Sequence, residues 1–539
     1  MPPDAEPGAI ASPWWQRGVV YQIYPRSFQD ANADGLGDLP GIVARLEYLQ
    51  ELGVDAIWLS PIYPSPMADF GYDVADYTGI DPIFGTLADF DRLVEAAHAR
   101  GLKVILDFVP NHSSSEHPWF REARRSRASA RRDWYIWRDP ASGGGVPNNW
   151  LSVFGGSAWE LDEATGQYYY HAFLKEQPDL NWRNPAVVQA MANVLEFWLQ
   201  RGVDGFRVDV IWHLIKDEQL RDNPINPGFK DGMSPYDRLL PVYTSDRPEV
   251  HGVIAGMRAV LDRYDDRVLI GEIYLPIERL VDYYGRDLTG AHLPFNFQLI
   301  LSAWDAATIA RLITDYEAAL PPGGWPNWVL GNHDNHRIAS RIGAAQARVA
   351  ACLLLTLRGT PTLYYGDEIG MHDVPIPDHR VQDPVERRIP GIGLGRDPER
   401  TPMQWSGAPA GGFTTADPWL PLADDVGLVN VEAQQSDPRS MLAWHRALIA
   451  LRKSEPALAV GEINHVEAIG TSLFYTRSFE GRRLFVALNL GHSPVDVPVT
   501  PGAGGVVLIA SGRIRNGERV DGHVALQGDE ALVMALDPA

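Results

Sequence analysis

Short apolar runs recur along this chain, each followed by a loop and a stretch with helical periodicity, and that alternation restricts the possible folds more than any other feature. The runs are VVYQIYP from Val19, AIWLSP from Ala56, KVILDFV from Lys103, GFRVDV from Gly205, VLIGEIY from Val268, LPFNFQ from Leu293, NWVLGNH from Asn327 and TLYYGDE from Thr362. Apolar runs of this length, bounded by turns, read as parallel strands covered on both faces. Between them lie amphipathic stretches such as LADFDRLVEAAHARG from Leu87 and AVVQAMANVLEFWLQRG from Ala186. Eight strand–helix alternations predict an α/β fold, a (β/α)8 TIM barrel.

The spacing of the runs is uneven. About a hundred residues separate Lys103 from Gly205, where one strand–helix unit takes ~30. This stretch is rich in Trp, Gly and Pro and lacks helical period until Ala186. It predicts a small domain inserted after strand three, at 108–180, in a barrel formed by 1–107 and 181–458. The segment from Glu368 to Trp419 is too long for a plain connection and reads as a functional loop at the rim. From 459 to 539 the patterns alternate (SLFYTRSF, RLFVALNL, ALVMAL), predicting a C-terminal antiparallel β-sandwich.

Composition excludes several functions. A formal net charge of −22 over 539 residues repels phosphate backbones and anionic membranes, so no nucleic-acid or membrane partner is expected. Cys352 is the only cysteine and sits in the apolar run ACLLLTL, which suits a buried, inert thiol. The N-terminal MPPDAEPGAIASPWW has neither a basic nor an apolar leader region, and no apolar stretch approaches the ~20 residues of a membrane span. A cytoplasmic monomer or homodimer is the expectation.

Chemistry concentrates at strand ends: DFVPNH (Asp107 to His112), GFRVD (Gly205 to Asp209), GEIY (Gly271 to Tyr274) and GNHD (Gly331 to Asp334). C-terminal strand ends of a barrel converge on one mouth, so Asp209, Glu272 and Asp334 can meet there despite their separation in sequence. Carboxylates sharing a pocket split in pKa, leaving one protonated to act as acid and another ionised to attack. Glycosidic hydrolysis needs that division.

In order, these four segments resemble the signature regions of glycoside hydrolase family 13, the α-amylase family. QPDLN (Gln177 to Asn181) resembles the α-glucosidase and oligo-1,6-glucosidase branch. QIYPRSF (Gln22 to Phe28), FGYDVADY (Phe70 to Tyr77), FGT (Phe84 to Thr86), YYGDE (Tyr364 to Glu368) and RTPMQW (Arg400 to Trp405) extend the likeness across the barrel. The resemblance implies Asp209 as nucleophile, Glu272 as general acid/base and Asp334 as the third carboxylate, holding sugar hydroxyls. It makes Arg207 the group that keeps the nucleophile ionised, His112 and His333 contacts to the glucose, and Tyr72 a stacking platform. It pairs Asp69 with Arg400 to close the back of the pocket, and places Phe173 on the acceptor side. The implied activity is an exo-acting, retaining α-glucosidase using a covalent β-glucosyl-aspartate intermediate, with some transglucosylation and no organic cofactor. Val210, directly after the nucleophile, matches oligo-1,6-glucosidases and leans towards α-1,6 substrates; simple packing explains it equally well.

Two alternatives stand beside this reading. A dedicated α-glucosyltransferase or sucrose isomerase would share the intermediate, but sucrose isomerases carry a charged RLDRD-type loop that GRDPERTP (Gly395 to Pro402) lacks. A non-catalytic binding protein on this barrel would have lost the carboxylates. Finally, Asp30, Asn32, Asp34 and Asp38 place oxygen ligands at alternate positions around glycines, which suits a hard cation. The resemblance adds the Leu36 carbonyl and makes the ion a structural Ca²⁺ or Mg²⁺.

Overall fold

The computed structural model describes residues 12–499, 504–512 and 514–538, so most of the N-terminal segment read for a leader lies outside the described residues. The apolar runs form eight parallel strands: β1 (Val20–Ile23), β2 (Ala56–Leu59), β3 (Lys103–Phe108), β4 (Gly205–Val208), β5 (Val268–Gly271), β6 (Leu293–Pro294), β7 (Asn327–Val329) and β8 (Thr360–Tyr364). Hydrogen bonds run β7-β8-β1-β2-β3-β4-β5-β6, making a nearly closed barrel. Strand β8 begins at Thr360, two residues before the expected start, and Thr360 pairs with Asn327 across to β7. The early start includes Pro361, whose missing N–H hid the strand from the pattern.

Local sequence explains the helices. Leu87–His98 starts in a capping box between Thr86 and Asp89 and buries Phe90, Leu93, Val94 and Ala97 at helical spacing. Pro185–Gln200 is capped by Asn184, has Pro at its first position and buries Val187, Met191, Val194, Leu195 and Trp198. The barrel interior follows the two-residue period of the strands. Ile105, Val268 and Ile270 fill it low down, with Trp58 and Val329. The same inward face continues upward as Asp107 on β3, Arg207 then Asp209 on β4, and Glu272 after β5. Gly205 admits the close approach of β5, since a Cβ there would stand 2.5 Å from the Val268 carbonyl oxygen.

Between β3 and β4, Trp137–Arg138, Gln167–Tyr170 and Trp159–Asp162 form a three-stranded antiparallel sheet. Trp150, Trp159 and Tyr170 pack together beside it. After the barrel, six antiparallel strands between Glu462 and Leu536 form one sheet, faced by the pair Val495–Pro498 and His523–Leu526. Phe474, Phe485, Val497, Val524 and Met534 fill the space between them, an unequal sandwich. The barrel helix Ala344–Thr356, which carries Cys352, packs against this domain as well as the barrel, so ten of its residues are buried. Among the described residues no helix is long and apolar enough to cross a membrane.

Candidate active site

Asp209 and Glu272 follow directly on β4 and β5, and the parallel ladder puts them side by side. Val208 pairs with Gly271, Asp209 N–H donates to the Phe108 carbonyl at 2.8 Å, and Glu272 N–H donates to the Val208 carbonyl at 3.0 Å. Asp334 arrives from the turn after β7. All three line one cavity of about 510 Å³ at the C-terminal mouth, together with Asp69, Tyr72, His112, Phe173, Val210 and His333.

Arg207 lies beneath this floor, buried, and its guanidinium is shared three ways. Nη1 reaches Asp107 Oδ1 and Asp209 Oδ1, each at 2.8 Å, and Nη2 reaches Glu272 Oε2 at 2.7 Å. One cation cannot neutralise three buried carboxylates. Burial pushes Asp209 well above the usual carboxylate range; Arg207 pulls it down, and Glu272, Asp107 and Asp334 add repulsion. Burial raises Glu272 as well, against Arg207. Arg207 thus acts on Asp209 in the expected direction, towards the ionised form and against burial. Its guanidinium is divided among Asp107, Asp209 and Glu272.

Asp334 behaves differently. Burial alone would raise it, but His333, Arg396 and Arg400 outweigh burial and hold it below the ordinary range. Arg400 Nη2 reaches Asp334 Oδ1 at 2.9 Å and Nε donates to the His333 carbonyl at 2.7 Å. Arg400 is buried behind the cavity and does not line it. It is not the partner of Asp69, contrary to the sequence expectation. That partner is Arg396, which bonds Asp69 Oδ1 at 2.7 Å, Asp334 Oδ1 at 3.2 Å and Asp383 Oδ2 at 2.6 Å. Both arginines lie in GRDPERTP, four residues apart, and only the course of that loop decides which reaches Asp69. On the far side, Gln177 Nε2 donates to Asp69 Oδ2 at 3.3 Å. Gln177, Asp69, Arg396 and Asp334 thus form a row of bonded side chains lining the cavity.

Burial disfavours the charged form of both histidines. Burial lowers His112 to about 4 and takes His333 well below its usual value. The Gln22 amide reaches His333 Nδ1 at 2.8 Å, so Nδ1 accepts and Nε2 carries the proton by this network. That Nε2 faces the Tyr72 hydroxyl at 2.7 Å, and the hydroxyl donates to Asp107 Oδ2 at 3.0 Å. Tyr72 and His333 stack at 5.4 Å with rings 4° apart. Phe173 lines the cavity and packs at 5.3 Å from His112 and 5.5 Å from Phe154.

Val210 lines the cavity and holds a left-handed backbone, φ 38° and ψ 46°, costly for a β-branched residue. This turn aims its N–H at Glu272 Oε2, 2.8 Å away. QPDLN is anchored by Asp179, which is bonded to Lys216 and to Asn111 Nδ2 at 2.9 Å, tying the inserted segment to the β3 end beside His112.

Sequence reasoning missed Arg396, Gln177, Asp383, Trp212, His213, Tyr236 and Tyr274. Gln177 and Tyr274 stood inside recognised motifs. Asp383 carries no local signal, because its role depends on the fold of the rim loop.

The βα loop after β1 is built from turns closed by its own side chains. Asp30 Oδ1 accepts from Asn32 and Ala33 N–H, Asn32 Oδ1 from Asp34 N–H, Asp34 Oδ1 from Leu36 N–H and Asp38 Oδ1 from Gly41 N–H. These bonds leave oxygen lone pairs on Asn32, Asp34 and Asp38 for a cation.

The sequence matches the family described as alpha amylase, catalytic domain, over residues 22–461. It is 43% identical over 495 residues to a probable alpha-glucosidase of Rhizobium meliloti (strain 1021), covering 88% of this chain and 89% of that protein. It is 46% identical over 463 residues to Maltase 1 of Drosophila virilis, covering 82% and 73%. Among solved structures, the alpha-glucosyl transfer enzyme XgtA superposes with a TM-score of 0.92 at 41% identity, covering 97% of this chain and 99% of that one. With the carboxylates at the strand ends and this match across the barrel, the chain belongs to the α-amylase family, glycoside hydrolase family 13.

Proposed function

We propose that this chain is an exo-acting, retaining α-glucosidase that removes terminal glucose from disaccharides and short gluco-oligosaccharides. The observation that carries the reading is a single cavity holding Asp209, Glu272 and Asp334 and lined by the bonded row of Gln177, Asp69 and Arg396, which we read as its closed end. A walled end admits one sugar unit and favours trimming over internal cleavage. The Arg207 bridge supports a retaining pair. It holds both carboxylates on one guanidinium, which suits the ~5–5.5 Å spacing of a retaining pair better than the ~6.5–9.5 Å of an inverting one.

In this mechanism Glu272 carries a proton, which it gives to the leaving glycosidic oxygen while Asp209 attacks the anomeric carbon. The ionised Glu272 then takes a proton from water, whose oxygen displaces Asp209 and restores α-glucose. Asp334 remains ionised and holds sugar hydroxyls. A second sugar can replace water, so transglucosylation accompanies hydrolysis at high sugar concentration. Val210, facing the sugar, extends acceptance to α-1,6 links.

Proton NMR of the first-formed product and kcat/KM for maltose, isomaltose and sucrose test the reading. α-Glucose is expected first, and Asp209→Asn should lose nearly all turnover while keeping its melting curve. First-formed β-glucose, or more than a tenth of the activity in Asp209→Asn, would overturn it. A strong preference for maltose over isomaltose would remove the α-1,6 part. The loop of Asp30, Asn32, Asp34, Leu36 and Asp38 is proposed to hold a structural Ca²⁺, or Mg²⁺, through side-chain oxygens and the Leu36 carbonyl.

A further inference from the structure

Outside the cavity, three segments bring a nitrogen and two carboxylate oxygens together. His336 Nδ1 lies 2.9 Å from Asp373 Oδ2 and 3.6 Å from Glu399 Oε2, and the three atoms fall within 4.8 Å of one another. Glu399 is 1% exposed, and its Oε2 has no hydrogen-bond partner. At 3.6 Å the imidazole is too far to serve as one. A buried carboxylate oxygen without a hydrogen-bond partner is costly. Tetrahedral ligands about 2.0–2.1 Å from a Zn²⁺-sized ion stand ~3.3 Å apart. The two observed separations bracket that value.

The segments are fixed to one another without an ion. Arg337 N–H donates to Asp373 Oδ1 at 2.9 Å, Asp373 N–H to Ser340 Oγ at 2.7 Å, and Val374 N–H to the Pro398 carbonyl at 3.1 Å. Asp373 Oδ2 and Glu399 Oε2 are thereby left to face the imidazole, and the half-exposed His336 leaves an entry path and an open fourth position. One imidazole with two carboxylates suits a first-row divalent ion better than Ca²⁺, which takes six or more oxygens.

We propose that His336, Asp373 and Glu399 form a second cation site, for a divalent ion of the Zn²⁺ class. The site lies two residues from Asp334 and one from Arg400. A bound ion would fasten the β7 turn to the rim loop and steady the wall of the sugar pocket without touching substrate.

The test is titration of the full chain, dialysed free of metal and kept in excess Ca²⁺, with Zn²⁺ followed by calorimetry and melting temperature. One equivalent of Zn²⁺ is expected to bind and raise the melting temperature. His336→Ala and Glu399→Gln should each weaken binding beyond the ~10–100-fold typical of outer-shell changes, whereas Asp34→Asn, in the loop after β1, should leave it unchanged. Co²⁺ added to the unaltered chain should give the visible absorption of a low-coordinate site, a readout that needs no variant to fold. If the unaltered chain takes up no Zn²⁺, or if the half-exposed His336→Ala takes up as much, the proposal fails.

Discussion

Arg396 is the residue on which the pocket turns, because its planar fork serves three carboxylates that no other single side chain reaches. Removing one partner from a buried ionic network leaves uncompensated charge and costs ~3–5 kcal/mol. Arg396→Met is therefore expected to lower kcat/KM on maltose by about 100-fold or more and to lower the melting temperature. Arg396→Lys should restore little, since an ammonium cannot reproduce the fork. Steady-state kinetics within threefold of the unaltered enzyme would show that Asp69 and Asp334 hold their places without it. Asp209, Glu272 and Asp334 were all legible in the sequence, because each ends a strand-like run. Arg396 was not. Its loop offers two arginines with the same local chemistry, and only the backbone path distinguishes them.

At the scale of elements, the helix Met441–Ser454 shows how burial is converted into pH dependence. It is capped by Ser440 and buries Met441, Leu442, Trp444, His445, Leu448 and Ile449, an apolar stripe readable from its sequence. His445 shares that face, and burial lowers it to about 4 from 6.5. A lowered imidazole binds its proton more weakly in the folded state. Its stabilising contribution is complete above pH 6.5 and is lost as pH falls from 6.5 towards 4. Replacing it with glutamine removes that dependence. The stability advantage of the native chain over His445→Gln, measured by urea unfolding, should shrink on acidification by ~1.4 kcal/mol per pH unit across that window. A difference constant between pH 7 and 4 would contradict the buried, neutral imidazole. The apolar period of this helix is visible in its sequence; the burial of its histidine is not, because a histidine on an apolar stripe can equally reach the surface.

Across the whole molecule, stability depends on segments distant in sequence being fastened together. Asp30 accepts a hydrogen bond from Thr414 Oγ1, and Trp419 N–H donates to the Gly35 carbonyl, so the loop after β1 is bound to the long excursion after β8. An ion in that loop would strengthen this link. Chelator should then lower the melting temperature, and excess Ca²⁺ at 100 times its Kd should return ~2.7 kcal/mol. Elemental analysis without Ca²⁺ or Mg²⁺, together with a melting curve indifferent to chelator, would remove the metal. In the C-terminal domain, Arg477 donates to carbonyls at Thr356 and Gly461, with no carboxylate partner among the described residues. Burial, with the neighbouring Arg452, lowers it to about 9. That contact joins barrel to sandwich through backbone oxygens.

By itself the sequence determined the barrel, the order of its strands and the residues at their C-terminal ends, because strand period and helix caps are local properties that no distant contact has to supply. Tertiary structure alone decided how charge is apportioned in the pocket: which arginine meets Asp69, how Arg207 is divided among three carboxylates, and how burial disfavours the charged forms of His112 and His333. Those outcomes depend on distances of a few ångströms between segments up to several hundred residues apart, and on the loss of water around them, neither of which is encoded in the spacing of residues along the chain.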